Sequence, residues 1–166
     1  MHDPNDLIYL FSECFETKYR TKLIQGGEEP LYKPAENPTE FHLIYFAHGF
    51  FSSALHEIAH WLIAGSERRL QLDYGYWYKP DGRNAKEQQL FQSVEVKPQA
   101  LEWHLSNACG YRFQYSFDNL NGDLAGEDVF KNAVQRQLYC YETKGLHPRA
   151  KIFYDALKHF YGSRRI

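Results

Sequence analysis

Phe50-Phe51-Ser52-Ser53-Ala54-Leu55-His56-Glu57-Ile58-Ala59-His60-Trp61-Leu62-Ile63-Ala64-Gly65 is the stretch on which the fold turns. Ala54, Leu55, Ile58, Ala59, Leu62 and Ile63 recur at helical intervals, and Gly65 is a natural stop, so the spacing predicts a helix from Phe50 to Ala64. Residues four apart on a helix project from one face with Cβ atoms about 5–6 Å apart, close enough for two imidazoles to hold one ion. His56 and His60 have that spacing, and their apolar neighbours set them beside the core.

A helical reading extends outward on both sides. Asp3-Pro4 is an N-cap and first-turn pair, followed at helical spacing by Leu7, Leu10, Phe11, Cys14 and Phe15, which predicts a helix to about Lys22, closed by Gly26-Gly27. Three prolines between Glu28 and Thr39 point to an irregular surface connection, and Phe41 to Phe46 reads as a strand. Leu70 to Tyr78 reads as another strand, Pro80-Asp81-Gly82 as a turn, and Arg83 to Gln89 as a polar segment winding into a helix. Pro98 suits the first turn of a further helix ending at Gly110. Two more amphipathic helices, from about Glu127 to Thr143 and from Pro148 to Gly162, complete the chain. The expected fold is α+β, a single compact domain over residues 1–166, mostly helical with a small β-sheet and a metal site on a central HExxH helix.

Composition narrows the function. Nineteen Lys+Arg against 21 Asp+Glu give a net charge of -2, so the electrostatic attraction of a nucleic-acid binder is missing. Apolar runs stop well short of the roughly 20 residues a membrane span needs. Met1 to Asp6 is polar and acidic where a secretory signal is basic and then apolar, which favours the cytoplasm. Cys14, Cys109 and Cys140 lie far apart without CxxC spacing and read as buried free thiols. Aromatic residues make up 17% of the chain, most of them expected in the core.

A catalytic metal site with two histidines takes a further protein ligand and leaves positions open. Glu95, between Val94 and Val96, is the first choice, although an acid so flanked can equally point to solvent. Glu102 is the alternative, one or two turns beyond Pro98, and His48, just before Gly49, is a third; a structural role suits His48 better. Glu57 is the catalytic candidate, because in zinc peptidases with this pattern the equivalent carboxylate polarises a metal-bound water. Asp73-Tyr74-Gly75-Tyr76-Trp77-Tyr78 offers aromatic faces and a carboxylate that would suit a cationic, aliphatic side chain, while core packing accounts for at least half of it. Asp118 to Asp123 lacks the spacing of a calcium loop and reads as a turn.

Beyond the metal motif, Phe46-Ala47-His48-Gly49-Phe50, His56 to Trp61, Ile63-Ala64-Gly65, Tyr74 to Tyr78 with Pro80-Asp81-Gly82-Arg83, Val94 to Leu101, and Asp118-Asn119-Leu120 follow in one order over most of the chain. In these segments the chain resembles the elongation factor P hydroxylase family. The resemblance implies metal- and oxygen-dependent hydroxylation of the β-lysylated lysine of translation elongation factor P, with a metal ion, Fe(II), held by two histidines and a carboxylate. In that scheme His56, His60 and Glu95 are ligands, three neighbouring positions stay open for molecular oxygen and other ligands, and Glu57 orients a ligand or handles protons. The acid does not stand two residues after the first histidine, so no 2-oxoglutarate cosubstrate is inferred. The competing readings are an HExxH zinc metallopeptidase and a metal-stabilised binding module without catalysis.

Overall fold

The computed structural model describes residues 1–73, 84–116 and 124–164. The first helix, α1 (Pro4–Phe11), is capped by the Asp3 side chain, which accepts from the Asn5 backbone N–H. It continues through a π-helical turn (Ser12–Glu16) and a last turn (Thr17–Tyr19), then stops at Arg20, whose φ of 46° is left-handed. The expected continuation to Lys22 is therefore wrong. Thr21–Gln25 is instead strand β1, with Thr21 and Leu23 buried in strand alternation. A second strand, β2 (Leu31–Lys33), lies inside the stretch expected to be irregular, and β3 (His42–Phe46) is the predicted strand. The three form one sheet in the order β1-β3-β2, with β1 parallel and β2 antiparallel to β3.

After β3 the chain reverses at His48 and Gly49, with φ of 56° and 65°, and enters α2 (Phe51–Ile63). Both reversal residues are left-handed, a conformation that glycine adopts without the Cβ penalty. Arg68–Leu70 then forms a 3₁₀ turn, and Asp73 pairs with Tyr32 in a single antiparallel bridge. Those are the described parts of the strand expected over Leu70 to Tyr78. The rest of that strand, the turn at Pro80 to Gly82 and the whole Asp118 to Asp123 loop lie outside the described residues.

The largest departure from expectation is α3 (Ala85–Cys109), one helix of 25 residues with Pro98 inside it. It begins in a capping box: the Asn84 side chain accepts from the Glu87 backbone, and the Glu87 carboxylate accepts from the Asn84 N–H. Gly110, left-handed with φ of 70°, ends it. Proline in mid-helix denies the carbonyl four residues back its partner, usually at a cost of about 3 kcal/mol. Burial of Pro98, Gln99, Ala100 and Leu101 in succession offsets that cost. Helices α4 (Leu124–Lys144) and α5 (Pro148–Ser163) follow close to their expected limits.

The main core joins α1, α2, α5, the sheet and the second half of α3. At its centre Phe15 lies 5.0 Å from both Phe11 and Trp61 by ring centroid and 6.1 Å from Phe153. Aromatic content is thus used heavily for packing. A smaller core of Ala100, Phe130, Val134 and Leu138 fastens α4 to α3. All three cysteines are free, but only Cys109 is fully buried; Cys14 and Cys140 are half-buried. No described helix is long and apolar enough to cross a membrane.

Candidate metal centre

Helix α2 faces the core with Ala54, Leu55, Ile58, Ala59 and Leu62, each without exposed surface, and this fixes the helix rotation that presents His56 and His60 to α3. Its last turn is pinned by Arg149 at the start of α5, which donates to the carbonyls of Trp61 at 2.9 Å and Ala64 at 2.6 Å. From the other side, α3 brings Glu95, Gln99 and Glu102 onto one face, spaced by four and three residues. All three are buried, an expensive placement for two acids and an amide unless each finds partners.

They do. His60 Nε2 stands 3.0 Å from Glu95 Oε1 and 3.1 Å from His56 Nε2, and His56 Nε2 stands 3.4 Å from Glu95 Oε2. His56 Nδ1 is 2.7 Å from Glu102 Oε2. The Gln99 amide donates to Glu95 Oε2 at 3.3 Å and to the Ser116 carbonyl at 2.9 Å, and its oxygen accepts from the Ser116 N–H. His56, His60 and Glu95 each offer one donor atom, and the three atoms lie within 4.8 Å of one another.

This donor set fits a divalent ion. Atoms bound about 2.1 Å from one metal at right angles stand about 3.0 Å apart, close to the separations found between the histidine nitrogens and Glu95. A Glu102 carboxylate that accepts from His56 Nδ1–H leaves the Nε2 lone pair free for the ion, the usual carboxylate–histidine–metal relay. Glu102→Ala is expected to weaken metal binding by about 10–100-fold with the fold retained, whereas Glu102→Gln, which keeps an acceptor, loses less. Equilibrium dialysis with Zn(II) measures both.

Charges in the metal-free protein agree with this picture. Burial disfavours a charged His56, but Glu95 and Glu102 outweigh it and raise its pKa to about 10; His60 is also raised, Glu95 overcoming burial. Burial favours a neutral Glu95, yet His60 and His56 hold it down at about 2. Burial raises Glu102 and Glu57, with the histidines opposing. An ion needs neutral imidazoles, and His56, with its pKa near 10, is protonated at neutral pH in the free protein while His60 is shifted in the same direction, so binding must expel protons. Affinity should therefore climb as pH rises toward about 10, by about tenfold per pH unit for each proton displaced. A competition titration with a chelator of known pH dependence reads the slope, and a flat profile would exclude the histidines as ligands.

The other sequence candidates lie apart from this cluster or beside it. His48 is exposed, with its ring centroid 5.5 Å from that of Phe50, and takes no part. Glu57 makes no hydrogen bond or ion pair among the described residues and lines a cavity of about 210 Å³ next to His60. Glu102, considered as a ligand, instead holds His56. Gln99 was not anticipated at all; a helix continued through Pro98 would have put it one turn from Glu95.

Comparison with known proteins gives the family. Residues 10–166 match the family model described as elongation factor P hydroxylase. The chain belongs to this family. It is also 52% identical over 162 residues, 98% of this chain and 91% of the relative, to a Haemophilus influenzae protein named elongation factor P lysine hydroxylase. Both matches span the two helices that bear the donors.

Proposed function

We propose that this protein is a metal- and oxygen-dependent hydroxylase acting on the β-lysylated lysine of elongation factor P, in the cytoplasm, with residues 1–166 as a single catalytic domain. The observation that carries the reading is the convergence of His56, His60 and Glu95 within 4.8 Å, in a chain with this family membership. Two histidines and one carboxylate are the facial set of non-heme iron oxygenases, and Fe(II) so held would supply the oxygen activation that replaces C–H with C–OH, one atom of O2 entering the product and the other leaving as water with two electrons from an external reductant.

The chain's own contribution is order. Glu102 keeps the proton on His56 Nδ1 and so aims Nε2 at the centre, while Gln99 holds the Glu95 carboxylate in place. Glu57 borders the adjoining cavity, where it meets whatever side chain enters and can exchange a proton with it. The test is the mass of elongation factor P from cells with and without this protein. Loss of about 16 Da, one oxygen atom, in its absence supports the proposal. Unchanged mass, or oxygen-independent peptide cleavage by the purified protein, overturns it.

A further inference from the structure

Two cavities adjoin the donor cluster and share no lining residue. One, of about 270 Å³, reaches His56 between Ser52, Ser53, Gln114 and Ser116, and the carboxylate in it, Glu102, is already engaged by His56. The other, of about 210 Å³, reaches His60 between Tyr32, Ile44, Trp61, Ile63, Val94 and Pro98, with Glu57 in its wall. A water needs about 10–15 Å³ of such space, so the second cavity has room for on the order of a dozen water-sized groups, enough for one long side chain.

One pair of opposite charges beside this second cavity is closed within the protein. Arg68 pairs with Asp73 at 2.6 Å. Arg69 donates to the Ala64 carbonyl at 2.8 Å and lies 5.7 Å from the Trp61 ring centroid. Lys97 is exposed. Glu57 has no hydrogen-bond or ion-pair partner among the described residues. A carboxylate with no hydrogen-bond or ion-pair partner, set beside Ile44, Trp61, Ile63, Val94 and Pro98, is costly to keep charged, and an arriving cation lowers that cost.

We infer that the cavity between Tyr32, Ile44, Trp61 and Pro98 takes a long aliphatic side chain bearing an ammonium group, and that Glu57 is the counter-ion that binds it. This deepens the reading of the protein as a lysine-derivative hydroxylase and rests on it for the identity of the side chain. The apolar walls hold the methylenes, Glu57 fixes the charged end, and the chain runs past His60. Discrimination then falls against any form of the side chain whose amine is neutralised.

The test is binding rather than turnover. Elongation factor P carrying the β-lysylated lysine, and the same protein with its amines acetylated, are titrated against the Zn(II)-loaded wild type and Glu57→Gln. Wild type should bind the cationic form at least about tenfold more tightly, and Glu57→Gln should bring the two within about twofold at unchanged zinc content and circular dichroism. Val94→Trp, which fills the cavity, should weaken the cationic form by a similar factor. The inference is overturned if wild type shows no preference, including no measurable binding of either form, or if Glu57→Gln keeps the preference. No arm requires oxygen transfer, so a failed mass assay with intact charge preference rejects the hydroxylase reading alone. A lost preference with hydroxylation intact rejects the cavity assignment alone.

Discussion

His60→Ala is expected to abolish metal retention and hydroxylation together while leaving a folded protein. His60 contributes the nitrogen that lies within 3.1 Å of both His56 Nε2 and Glu95 Oε1, so its loss removes one of three converging donors and leaves the other two with no common partner. Losing a group that only orients a ligand costs about 10–100-fold, and losing a ligand should exceed that, a drop of more than about 100-fold in the rate of oxygen addition. The alanine removes an imidazole that is partly exposed, so the core beneath α2 is undisturbed. Metal content by mass spectrometry and product mass on elongation factor P should fall in parallel. Full metal content in the variant would show that His60 is not a ligand.

Phe15→Ala should be the most damaging change to stability. The ring is fully buried and packs on Phe11, Tyr19, Trp61 and Phe153, joining α1 to α2 and α5. Truncating such a ring costs about 3–5 kcal/mol, a large share of the roughly 5–15 kcal/mol that holds a domain together. In a chain of this length Tm would drop by roughly 6–20 °C. Thermal unfolding followed by circular dichroism measures the shift, and a drop of under about 2 °C would show that the aromatic cluster is not the centre of the core. Trp61 follows His60 directly, so the same packing that stabilises the fold also seats the histidine helix.

The parts of this protein that sequence alone revealed are those governed by local periodicity. Ala54 to Ile63 and Ile152 to Phe160 show an unbroken helical repeat, and both lie in helices at the expected places. The pairing of His56 with His60 follows from helix geometry, and Glu95 reaches them across 35 residues of chain. The missed features depend on contacts between distant segments. Strand β1 follows a helix with no glycine or proline at the boundary, and only its parallel pairing with β3 makes it a strand. Pro98 looked like a helix start because an isolated helix would not tolerate it in the middle; tertiary burial reversed that preference. The partnership of Glu102 with His56 is hidden for the same reason, since a helix begun at Pro98 fixes no phase between Glu95 and Glu102.

That both acids ride on α3 and both histidines on α2 also governs how the chain can change in length. One codon gained or lost between Glu95 and Glu102 turns one acid by about 100° around the helix axis relative to the other, which takes either Glu95 from the histidines or Glu102 from His56. The same holds between His56 and His60. None of these four side chains comes from the span between Gly65 and Asn84, so a change of length there alters no donor's phase on its helix.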